Sequence, residues 1–272
     1  MFGSEQTLIN LSIYSILPAI VILFYVYKRD LFPEPPRIVF ITILLGAGIS
    51  FPIALLIPVF EGYLETLNVG VETSNFYMAF VRAAFLEETL KFLILIYYCL
   101  HLDEFNEPMD ALVYGVAASI GFAVFENWEY VMIGTKEGIE TAKNIALLRA
   151  FTAMPMHALA GVFMGFFLIK SIFEKENRKL NLFLSLFYPI CLHGLYDLIL
   201  FSDSFSDYYI YILVLVFLVR AYFVFQNERN LQKTRVSKPL KVMPMNSQIV
   251  MTIFLSLFIL MSANYFIDTI LY

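Results

Sequence analysis

The chain has 272 residues, of which 60% are hydrophobic and only 15% charged, with a formal net charge of −5 and a mean hydropathy of +0.75. A soluble domain of this size carries about 25% charged residues, so the composition excludes an ordinary soluble enzyme and describes an all-α, polytopic transmembrane helix bundle in a lipid bilayer. The basic residues lie in short loops and form no groove-like cluster, which argues against nucleic acid as a partner and reports membrane topology instead.

Apolar windows of about 20 residues predict about eight spans. The first, Leu8 to Tyr27, stops at Lys28-Arg29-Asp30. No Lys or Arg precedes it, so it lacks the basic start of a cleavable signal peptide and is expected to be retained. A Pro-rich loop, Phe32 to Arg37, leads to the second span, Ile38 to Phe60, whose far half Pro52 and Pro58 are expected to kink. The third span is Phe76 to Leu100, the fourth Met109 to Ile133 and the fifth Ile145 to Ile169, after a polar loop from Gly134 to Asn144. The sixth is Leu182 to Phe201, the seventh Tyr208 to Phe225 and the eighth Ile249 to Ile270. The loops after spans one, five and seven hold most of the basic residues, which predicts both termini outside and those loops in the cytosol. Residues 1–272 are read as one integral membrane domain of the cell membrane, with residues 76–201 as a catalytic four-helix core. Gly161 and Gly165 are spaced for close packing of helices within the chain. Cys99 and Cys191 both lie in apolar runs and are expected to be free thiols.

The third span carries Glu87, Glu88 and Lys91. Charged groups at that depth cost about 2.5–3.5 kcal/mol each on insertion scales, so they persist only where they are paired or used. On a helix Lys91 lies between the two acids, at i,i+4 from Glu87 and i,i+3 from Glu88, and one ammonium neutralises only one of them. Taken alone, the group also reads as a structural ion pair. Three more spans bring polar groups: Glu126-Asn127 in the fourth, Arg149 near the outer end of the fifth with His157 further in, and His193 with Asp197 on one face of the sixth. At about 1.5 Å per residue, Glu87, Glu126, His157 and His193 all fall at a similar level in the outer half of the membrane. Packing does not require such a layer, which marks it as a functional site.

The residue types narrow the chemistry. No His-Glu-x-x-His helix is present for site-2-type zinc hydrolysis, and no Gly-x-Ser-x-Gly turn for a serine nucleophile. An aspartyl pair also fails, because Asp110 lies near the opposite membrane face from Asp197. Glutamate-activated water remains, with or without a metal.

The motifs Glu87-Glu88-x-x-Lys91, Phe122-x-x-x-Glu126-Asn127, His157 and His193-x-x-x-Asp197 resemble those of the PrsW family of intramembrane proteases. So do Glu107-Pro108-x-Asp110, Tyr114-Gly115, Gly121-Phe122-Ala123 and Arg149. The resemblance runs from near Phe32 to about Leu200. The chain is also distantly similar to the CAAX prenyl proteases, but its lysine stands one position earlier and Glu126 replaces their histidine, which favours the PrsW branch. The resemblance implies cleavage of a membrane-anchored protein substrate such as an anti-sigma factor.

For such an activity Glu87 or Glu88 is the expected base, with Lys91 biasing which one is ionised. His157 and His193 are expected either to stabilise the oxyanion or to bind a metal, zinc first, together with Glu126. Asp197 is expected to orient His193. Two other classes fit the same polar layer: a non-catalytic receptor or scaffold for partner transmembrane segments, and a proton-coupled transporter.

Overall fold

The computed structural model describes residues 2–174 and 176–234, with side chains from Thr7 onward. The predicted eighth span lies outside the described residues. Those described are helical, with no strand, and six stretches are long and apolar enough to cross a membrane: Thr7–Arg29, Pro36–Leu67, Pro108–Gly134, Ile139–Phe173, Arg178–Phe201 and Tyr208–Gln232.

Three predicted spans are not single regular helices. The second is divided into α2 (Pro36–Gly48) and α3 (Ser50–Leu67), after α1 (Phe2–Arg29). The fifth is divided at Thr152 into α7 (Ile139–Phe151) and α8 (Ala153–Phe173). Both breaks have one cause. Pro52 and Pro155 stand at the third position of α3 and α8, where a missing N–H costs a helix start nothing but deprives the preceding helix of its next bond. The loop read as Gly134 to Asn144 shortens accordingly, because α7 begins at Ile139. The third span is divided most of all. It comprises α4 (Val71–Tyr77), a π-helical stretch Met78–Phe85, α5 (Leu86–Tyr97) and a 3₁₀ turn Cys99–His101. Wider π turns are frequent at functional sites, and this one delivers the chain to Glu87 and Glu88.

The centre of the bundle is α6 (Pro108–Gly134), followed after α7 and α8 by α9 (Arg178–Phe201) and α10 (Tyr208–Gln232). Residues 108–123 of α6 are buried without interruption. Glycines let its neighbours come close. A Cβ on Gly161 of α8 would stand 2.4 Å from the Gly115 carbonyl of α6, and one on Gly121 of α6 would stand 2.0 Å from the Ile43 carbonyl of α2. The Gly161/Gly165 pattern therefore packs within the chain.

One end of the bundle is tied by a polar knot. Gln232 at the end of α10 donates from Nε2 to Asp30 Oδ1 at 2.7 Å and to Glu107 Oε1 at 2.5 Å. Asp110 caps α6 by accepting the Asn106 and Glu107 N–H groups, each at 2.7 Å. Tyr114 donates its hydroxyl to Glu34. Burial is the main reason that the Glu34 carboxyl titrates above its ordinary range, against the opposing hydrogen bond from Tyr114. The ends of α1 and α10 and the start of α6 thus share one face of the bundle. Cys99 and Cys191 are free thiols.

Candidate active site

Four of the predicted spans contribute one side chain or more to a buried cluster in the other half of the bundle; of these, the predicted third span is not among the six long apolar stretches. Glu87, Glu88 and Lys91 come from α5, Glu126 and Asn127 from α6, Arg149 and His157 from α7 and α8, and His193 and Asp197 from α9. Every candidate residue named from the sequence is part of it.

Lys91 is fully enclosed. Its ammonium lies 2.6 Å from Glu88 Oε1 and 3.5 Å from Glu87 Oε2. It also sits 3.2 Å from His157 Nδ1 and 4.4 Å from the centroid of the Phe122 ring, an attractive position for a cation. The single ammonium therefore pairs closely with Glu88 and only loosely with Glu87. Glu88 Oε1 also meets His193 Nδ1 at 2.9 Å, whereas Glu87 Oε2 is 3.8 Å from that nitrogen.

Each histidine turns one ring nitrogen to the α5 side chains and the other to a carboxylate. His157 has Nε2 2.9 Å from Glu126 Oε2, and His193 has Nε2 3.2 Å from Asp197 Oδ2. The two rings meet edge to face, 5.0 Å between centroids. Glu126 is held in turn by Arg149, 2.6 Å from its Oε2, and Arg149 Nε donates to Asn127 Oδ1 at 2.7 Å. Arg149 also lies over the Tyr130 ring, 4.1 Å from its centroid. The bridge from Arg149 through Glu126 to His157 was not legible in the sequence, because its members come from three helical segments with no fixed spacing between them.

The cluster is reached by two cavities. One, of about 120 Å³, is lined by Glu87, Glu126, Arg149, His157, His193 and Asp197, among others. The second, of about 240 Å³, opens between α3 and α6 and also reaches Glu87 and Glu126. Glu88 and Lys91 line neither of these cavities. The two acids, adjacent in sequence, are thus unlike in place: Glu88 is locked in the packing, while Glu87 faces open space.

The donors also fit a metal. One atom from each of Glu87, Glu88, His157 and His193 lies within 4.8 Å of all the others. Glu88 Oε2 is buried with no hydrogen-bond partner. The carboxylate behind each imidazole is the arrangement that fixes the tautomer of a metal-bound histidine. Of the expected ligands His157, His193 and Glu126, the two histidines belong to this group, while Glu126 lies behind His157 with its Oε2 against Arg149 and His157 Nε2.

Comparison with known proteins places the chain in a family. Residues 34–222 match the family model described as "PrsW family intramembrane metalloprotease". Protease PrsW of Bacillus subtilis (strain 168) is 39% identical over 196 residues, covering 71% of this chain and 84% of the relative. Protease PrsW of Geobacillus kaustophilus is 34% identical over 195 residues, covering 71% and 81%. That of Clostridioides difficile (strain 630) is 32% identical over 204 residues, covering 72% and 81%. No solved structure matches the chain. An apolar helical bundle, a buried carboxylate–imidazole cluster on four spans and a match over most of the chain lead to one conclusion: the protein belongs to the PrsW family of intramembrane metalloproteases.

Proposed function

We propose that this membrane peptidase cuts a membrane-anchored protein of the anti-sigma-factor kind near the outer membrane face, with Glu87 as the base that activates water. The observation that carries this reading is the difference between the two acids. Glu87 lines both cavities and is held loosely, while Glu88 is closed off and paired with Lys91 and His193. A general base must reach the water whose proton it takes, and of the two adjacent acids Glu87 alone lines the cavities. Lys91 Nζ and His193 Nδ1 both lie against Glu88 Oε1, at 2.6 and 2.9 Å, so that oxygen is already engaged.

In the proposed mechanism residues 76–201 form the catalytic core of a single membrane domain with about eight spans. Glu87 takes the proton of the attacking water and later delivers it to the leaving amine. Arg149 and Arg82, which line the smaller cavity, bring positive charge to the developing oxyanion. Glu126 and Asp197 hold His157 and His193 with their Nδ1 atoms inward. Glu87, Glu88, His157 and His193 would hold a divalent metal, zinc first, which when bound supplies a Lewis acid and lowers the pKa of its water.

The test compares membranes from cells producing the wild type, E87Q or E88Q, by mapping new protein termini within transmembrane segments. We expect such termini with the wild type, and at least 100-fold fewer with E87Q while that variant keeps its unfolding temperature. Termini that persist in E87Q remove Glu87 from the mechanism. Metal analysis of the purified protein, with cleavage measured before and after chelation, tests the ligand set: full activity in metal-free protein leaves glutamate-activated water alone.

A further inference from the structure

A peptide bond in a membrane-anchored segment must reach Glu87 from the side, through the bundle wall. The cavity between α3 and α6 has the features of that entrance. Ser50, Ile53, Ala54 and Ile57 line it from α3, and Glu126, Glu129, Tyr130 and Ile133 from α6. Both sets follow i, i+3, i+4, i+7, which is one face of each helix. Two helix faces thus stand opposite one another with about 240 Å³ of open space between them.

The α3 wall is also lightly held. Only Ile53 is buried along its 18 residues, and the break at Ile49 separates it from α2, which packs on α6. Its far end is tied to the next segment by an ion pair between Glu61 and Arg82 at 3.2 Å and by the Tyr77 hydroxyl on the Phe60 carbonyl at 3.1 Å. An exposed pair of this kind holds weakly. Pro58 has no N–H, so the Ala54 carbonyl lacks its usual helical partner.

The facing stripes each cover eight residues, Ser50 to Ile57 and Glu126 to Ile133, about 10 Å along the helix, which matches about three residues of extended chain. The peptide groups of a transmembrane helix are hydrogen-bonded within it and wrapped by side chains, so a bond presented to Glu87 must first leave the helix. We infer that the α3–α6 cleft is the lateral entry for substrate, and that it admits a single transmembrane segment unwound over about three residues in its outer half. The inference rests on the protease reading. A larger apolar groove, about 510 Å³ between α9 and α10, is lined by Leu195, Ile199 and Ile212, among others, but by no residue of the buried cluster. It is the alternative entrance that the experiment must separate.

The probe is a single-span reporter with an alanine–leucine segment interrupted by a Gly-Pro step in its outer half, beside the same reporter without the step. Ile57→Cys or Ile212→Cys is placed in full-length E87Q protein whose Cys99 and Cys191 are alanine, and each is tested for disulfide capture of a cysteine beside the step. We expect the wild type to cut the interrupted reporter at least tenfold faster than the continuous one, and capture through Ile57→Cys alone. An otherwise wild-type A54W variant, filling the cleft, should cut at least tenfold more slowly with an unchanged unfolding temperature. If the reporter is cut but captured at Ile212→Cys or at neither position, or if A54W cuts normally, the entrance is refuted and the protease reading stands. If the interrupted reporter is neither cut nor captured, the substrate class is refuted; the mapping of new termini decides separately whether membrane proteins are cut at all.

Discussion

Both histidines of the cluster are contacted at both ring nitrogens, and on each the outward nitrogen meets a carboxylate. His193 and Asp197 are four residues apart on α9, so that pairing follows from helical periodicity and was legible in the sequence. The equivalent carboxylate for His157 is Glu126, 31 positions earlier on another helix, and no local spacing could reveal it. Arg149 completes this second arm. Removing one partner of a buried ion pair leaves the other uncompensated. Arg149→Leu should therefore destabilise the protein by about 3 kcal/mol, the low end for such pairs because both side chains keep some exposure. Adding Glu126→Gln should recover most of the stability without recovering cleavage. Thermal unfolding of the two single variants and the double variant checks this, and a double variant no more stable than Arg149→Leu would make the pairing energetically irrelevant.

Among the elements, α6 controls how closely its neighbours pack. Gly161 and Gly115 allow α8 and α6 to meet backbone to backbone, which sets His157 at the level of Glu126. A Cβ at Gly161 would press on a carbonyl, not on a flexible side chain, so the helices must separate. We expect Gly161→Ala to cost about 2 kcal/mol, a usual penalty for overpacking, and to slow cleavage by misplacing His157. Gly62→Ala is the matched control: it lies in α3 with nothing within 4 Å of the added atom, and helix propensity predicts a gain of about 0.5–1 kcal/mol. Equal unfolding temperatures for the two variants would contradict the close packing. The interruptions at Ile49 and Thr152 belong to this scale as well. Pro52 was legible as a source of kinking in the second span. That the chain parts at Ile49, leaving α3 barely covered, depends on what α3 finds to pack against.

At the scale of the whole molecule, the knot of Asp30, Glu107 and Gln232 brings the ends of α1 and α10 and the start of α6 to one face, as strict alternation of spans requires. From the loop charges we propose that this face is cytosolic. With single cysteines in a protein lacking Cys99 and Cys191, an impermeant reagent on intact cells should label Lys136→Cys and leave Lys233→Cys unlabelled. The reverse result would invert the topology and move the proposed cleavage to the inner face.

Composition and apolar run length depend only on neighbouring residues, so the helical membrane class and most of the spans could be read directly from the chain. The cost of charge in a bilayer is equally local, and it singled out Glu87, Glu88, Lys91, Glu126, His157, His193 and Asp197 before any fold was known. Tertiary structure alone decided which acid is sealed and which is open, because burial is a property of the neighbours and Glu87 and Glu88 have the same chemistry. It also decided that Glu126 backs His157 and that α3 leaves a cleft beside α6. Those features arise where separate helices meet, at distances that periodicity along one helix does not encode.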